Sequence, residues 1–197
     1  MKKKGLVIAA SVMLVLCLAV GGTLAWLMDQ TDPVVNTFTV GNIDITLTED
    51  EGAVNDNGEH EFKMVPGNTI TKDPLITIEA GSEACWLFVE VKESDNFDDY
   101  MTYEPATGWT KYSDDGKTAV YYQQIGTAGD VLAATEKGVL LNDTVTVKTS
   151  VTKDMMDNIK GGTVTAPTLT FKAYAVQQAN VNDVDDAWLI ATGQKTA

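Results

Sequence analysis

The side chains best suited to hold metals or attack carbonyls are scarce: there is one histidine, His60, and there are two cysteines, Cys17 and Cys85. His60 lies in Gly58-Glu59-His60-Glu61-Phe62. A zinc-protease helix needs a second histidine one turn further on, and that position holds Met64. A zinc site built within the chain therefore lacks ligands, and His60 reads as an exposed loop histidine. Cys85 stands in the apolar run Cys85-Trp86-Leu87-Phe88-Val89, where a thiol behaves as a small buried hydrophobe. Acids cluster at 49–51, 95–99 and 183–186, and outside a cell such groups could meet calcium. None has the spacing of a calcium loop; Asn55-Asp56-Asn57-Gly58 comes nearest and lacks the first ligand and the trailing Glu. A charge run is ordinarily a solvated face. There is no phosphate-cradling glycine loop, no nucleophile elbow and no arranged Ser/His/Asp set. Asn142-Asp143-Thr144 matches a glycosylation sequon, which matters only in a eukaryotic host. The residues point to a protein that is not an enzyme and carries neither metal nor cofactor.

Charge narrows the field further. The 14 cationic residues are all lysine, against 28 acids, for a net charge of −14. A chain this acidic, with no guanidinium fork to grip phosphate, is unsuited to nucleic acid. Its 197 residues suit one compact domain, which would bury roughly 70% of its unfolded surface.

Both termini of the first 28 residues carry a message. Met1-Lys2-Lys3-Lys4 is charged, and Gly5 through Met28 then holds no Asp, Glu, Lys, Arg or His. The apolar stretch from Leu6 to Val20 has the length of a secretory h-region. Gly21-Gly22 breaks its helix, and Thr23 and Ala25 supply small residues at −3 and −1, so cleavage is expected between Ala25 and Trp26. An uncleaved anchor is the competing reading, because 24 uncharged residues can span a bilayer. The glycine pair and the small-residue box favour cleavage. A lipoprotein site at Cys17 is unsuited, since Leu16 is too bulky. The mature chain would keep 172 residues, 11 lysines and 28 acids, a net −17, with Cys85 as its single cysteine. No internal disulfide can then form.

The mature chain reads as strands and turns. Val34, Asn36, Phe38 and Val40 alternate with other residues up to Gly41, and Ile43, Ile45 and Leu47 alternate beyond it, the period of half-buried strands. Residues 49–61 are acidic, bear Gly and Asn, and read as a solvated loop. Val65-Pro66-Gly67 marks a tight turn, and strands are expected at 75–78 and 86–91. Aromatic runs at 109–112 and 119–122 flank Ser113-Asp114-Asp115-Gly116, a strong hairpin signal. Further strands fall at 145–148 and 169–174. Two stretches read as helix: one capped by Thr152, with Met155, Met156 and Ile159 on one face, and one capped by Asp183, burying Val184, Ala187, Trp188 and Ala191. The expected fold is all-β, an antiparallel jelly-roll-type β-sandwich with one or two short helices behind a signal peptide. Residues 1–25 would be the signal, 26–40 an extended segment and 41–197 the sandwich.

Gly21-Gly22-Thr23-Leu24-Ala25-Trp26-Leu27-Met28-Asp29, followed by Asn36-Thr37-Phe38-Thr39-Val40-Gly41-Asn42-Ile43-Asp44-Ile45, resembles the signature of the TasA/camelysin family of exported bacterial proteins. Val65-Pro66-Gly67-Asn68-Thr69 is similar to that family's Pro-Gly turn, and residues 172–177 with Ala187-Trp188 are similar to its closing strand and helix. The resemblance implies a jelly-roll domain, processing by a SipW-type signal peptidase, export from a Gram-positive-type cell, and assembly into extracellular biofilm-matrix fibres. Some members are described as metallopeptidases, but no metal-binding motif exists in this sequence. Resemblance and residues join in one expectation: Val34, Asn36, Phe38 and Val40 form a donor strand that adds to the next subunit through main-chain hydrogen bonds. Repeated head-to-tail, that contact makes an open filament. The expected partners are further copies of the chain and, during export, the signal peptidase. Membrane contact would be transient, through the signal alone. If residues 34–40 instead complete their own sheet, as sequential strands commonly do, the chain would be a monomeric surface-binding module.

Overall fold

The computed structural model describes residues 42–49, 53–54 and 60–195, all within the unit Val40–Ala197. The expected signal peptide, its expected cleavage residues Thr23, Ala25 and Trp26, and the expected donor-strand residues Val34, Asn36, Phe38 and Val40 lie outside the described residues.

The described chain is all-β and antiparallel, a sandwich with short helices. Its largest sheet joins β12 (Leu169–Gln177), β6 (Cys85–Glu93), β9 (Thr118–Ile125) and β8 (Thr110–Asp114), in that order. A second sheet orders β4 (Thr69–Thr71), β11 (Leu140–Val147) and β7 (Met101–Pro105), and a third orders β1 (Ile45–Thr48), β5 (Leu75–Ile78) and β10 (Thr135–Gly138). Along β6, Cys85, Leu87, Val89 and Val91 face the core shared with Ile76, Ile78, Tyr121, Val145 and Val147. Trp86 and Phe88 point the other way, into a second cluster with Tyr122, Tyr174 and Trp188. Both faces of β6 are thus covered, which is why its sequence is a nearly unbroken apolar run rather than a strict alternation.

The expected hairpin is present: β8 and β9 pair antiparallel around Gly116, whose φ of 85° suits glycine. The 65–67 turn closes with the Asn68 amide donating to the Val65 carbonyl at 3.0 Å. Both expected helix caps also form. Thr152 accepts from the Met155 amide ahead of α2 (Lys153–Lys160), and Asp183 accepts from the Asp186 amide ahead of α3 (Val184–Ala191).

Three expectations need correction. The 49–61 stretch is not wholly loop, for β2 (Ala53–Val54) pairs with β3 (His60–Glu61), so His60 sits in a strand. A third helix, α1 (Phe97–Tyr100), joins the two expected, since Phe97 and Tyr100 lie one turn apart and both bury. Strands β4, β7 and β10 were not anticipated. The first and last are only three and four residues long, too short for a pattern of their own, and are held by ladder partners.

Candidate functional site

Strands β1, β4 and β12 share a property that matters for binding: each has one hydrogen-bonded neighbour and leaves its other edge open among the described residues. An open edge presents unpaired N–H and C=O groups to any incoming chain. β1 and β12 approach within 8 Å, Cα to Cα, without forming a ladder.

A groove of about 750 Å³ opens between these edges. Alternation builds its walls. Along β1 and just past it the inward row is Leu47, then Glu49; along β4 and just past it, Ile70, then Lys72; on β12 it holds Leu169 and Phe171. Phe62 and Met64 reach it from the segment before β4, and Phe97, Met101 and Val145 form its buried floor. Leu47, Phe62, Met64, Ile70, Leu169 and Phe171 are only half-buried. So much partly wetted apolar surface in one concavity is the mark of a binding site.

Thr48, Thr168 and Thr170 add polar groups to the lining, and one ion pair lies among the apolar walls. Lys72 Nζ donates to both Glu49 carboxylate oxygens, at 2.6 and 2.8 Å. The side chains are 11% and 16% exposed respectively. The ammonium also lies 4.8 Å from the Phe62 ring centroid and 5.4 Å from that of Phe171, within reach of both ring faces. A charge this buried persists because it is paired. The pair joins residues 23 apart in sequence, and sequence reading missed it. The available signal was Lys72 on the same strand face as Ile70.

Elsewhere the candidate chemistry resolves into structure. Cys85 is fully buried, and burial pushes its thiol up to about 11, as expected for a core residue. Asp183 caps α3, and Asp186 is held by Asn182 and Lys195. Lys117 donates to the Asp95 carbonyl. Glu49 is committed to Lys72, while Asp50 and Glu51 lie outside the described residues. Among the described residues, no three His, Cys, Asp or Glu side chains gather as metal ligands. Asn142 and Asp143 of the sequon adopt φ of 54° and 53° at a bulge in β11. Burial raises the Tyr103 hydroxyl well above its ordinary value, with the neighbouring Tyr121 adding to the shift; this contact ties β7 to β9.

No protein-family model, curated protein or solved structure matches the chain. No helix among the described residues is long and apolar enough to cross a membrane. Fold and site together define an all-β sandwich with an apolar groove beside open strand edges.

Proposed function

We propose that the chain is an exported structural subunit that assembles head-to-tail into extracellular biofilm-matrix fibres. Residues 34–40 of one subunit enter the groove of the next. The observation that carries this reading is the groove itself: a concavity with apolar walls, flanked by strands whose outer edges are open among the described residues, the kind of surface to which a further strand can add. The donor meets that requirement from the sequence side. Val34, Phe38 and Val40 supply an apolar row, and residues 34–40 contain no charge. The Lys72–Glu49 pair is itself neutral, so an uncharged occupant leaves no charge unbalanced.

The resemblance to the TasA/camelysin family at residues 21–48 supports the same reading. Its jelly-roll winding, its SipW-type processing between Ala25 and Trp26, and its secreted destination are parts of the proposal. Self-association and the signal peptidase are the partners it includes; catalysis, nucleic acid and lasting membrane attachment are not.

The test is to express the full chain in a secreting host and examine the exported material. We expect an N-terminus at Trp26 and fibres by negative-stain electron microscopy. Phe38→Asp places a charge among apolar side chains, where burial is strongly unfavourable, and should leave soluble, cooperatively melting monomers. Native material that stays monomeric under all salt conditions would favour a surface-binding module instead.

A further inference from the structure

Asn36 is the single polar member of the row Val34, Asn36, Phe38, Val40. A primary amide entering an apolar groove must find hydrogen-bond partners there or lose those it had with water. The groove's one buried ion pair is Lys72–Glu49. We infer that Asn36 of the donated strand docks on the Lys72–Glu49 pair of the receiving subunit, and that this contact sets the register of assembly. The inference rests on the strand-donation reading.

Spacing supports it. Leu47 and Glu49 are successive inward residues at the end of β1, and Ile70 and Lys72 are successive inward residues at β4. The polar spot therefore lies one inward step from an apolar wall. On the donor, Asn36 lies one such step from Val34 and one from Phe38. The chemistry also fits. An ammonium has three donors, of which Glu49 takes two; a carboxylate has about four acceptor positions. A side-chain amide can donate to Glu49 and accept from Lys72 while the pair stays intact. A charged side chain at position 36 would instead leave the buried cluster with a net charge.

A register device is needed because main-chain hydrogen bonds repeat every two residues along a strand. An apolar row alone would allow two-residue slips. One buried polar match removes that freedom, since each slip strands an amide among apolar groups and covers an ion pair with apolar ones. The same match separates donation from self-pairing. A two-residue hairpin through Gly41-Asn42 would set Val40 opposite Ile43, and hence Asn36 opposite Leu47 and Val34 opposite Glu49. That register puts polar against apolar at both places.

The experiment is a mutant cycle read as fibre growth rate in material secreted from the full-length chain. Asn36→Val should slow growth about tenfold, the size of one lost hydrogen-bonded contact. Lys72→Met with Glu49→Met should slow it similarly by stranding the Asn36 amide. Combining all three should restore native growth, because apolar then meets apolar. If the Met pair does not melt cooperatively as monomer, the coupling is read from Asn36→Asp. That carboxylate should block assembly beside Glu49 and be rescued by Glu49→Gln. Native fibres with additive effects and no rescue would overturn the register contact and leave strand donation standing. Native chains that make no fibres would overturn strand donation itself.

Discussion

Cys85 shows how far a single residue can be read. Its place in an apolar run identified it as core, and the structure leaves it with no exposed surface and a thiol raised to about 11 by burial. Because the reactive species is the thiolate, we expect no maleimide labelling of the folded protein at pH 7 to 8 and rapid labelling in denaturant. Labelling of the folded protein would place the thiol at the surface. His60 was legible only as a missing partner, since its zinc reading failed on the residue at 64. Lys72 was not legible. A lysine between Thr71 and Asp73 looks like an ordinary surface cation, and its burial depends on Glu49, Phe62 and Phe171 arriving from three other segments. Its alternation with Ile70 is the one local sign, and the partners that bury it come from distant sequence.

At the scale of elements, local chemistry and legibility coincide. The β8–β9 hairpin announced itself through Asp114-Asp115-Gly116, and the structure shows why those residues serve. The Asp114 carboxylate accepts from the Gly116 amide, and that of Asp115 accepts from the Lys117 and Thr118 amides. The Lys111 ammonium first, and then the Gly116 amide, hold Asp114 below its usual range; the Thr118 and Lys117 amides do the same for Asp115. A carboxyl with a depressed folded pKa contributes stability above its unfolded pKa and loses it as pH falls through the folded value. We therefore expect amide exchange in residues 116–118, corrected for intrinsic rate, to accelerate below about pH 4 before exchange in β6 changes. Simultaneous loss would show that the turn carboxylates do not hold the hairpin. The capped helices were legible for the same local reason. Strands β4 and β10 were not, because segments of three and four residues become strands only when β11 or β5 offers a ladder. Of the strands that bound the groove, β1 and β12 were legible from their alternation and β4 was not, so the groove as a whole could not be foreseen.

For the whole molecule, sequence and structure supply complementary halves. The sequence reads as an acidic, strand-rich chain with an uncharged alternating segment at 34–40, and its export is part of the proposal. The structure supplies a groove beside strand edges that are open among the described residues, lined by the Lys72–Glu49 pair, and the proposal makes it the receptor. On the proposal, a chain beginning at Trp26 would carry a net charge of −17, which would keep copies apart at low ionic strength until salt screens the repulsion and strand insertion joins them. The central claim is the location of residues 34–40 in the assembled protein. Cryo-electron microscopy of the secreted material tests it most directly. The account predicts residues 34–40 of one subunit lying in the groove bounded by β1, β4 and β12 of its neighbour, with Asn36 at the Lys72–Glu49 pair. Density showing residues 34–40 paired along β1 of their own subunit would contradict it.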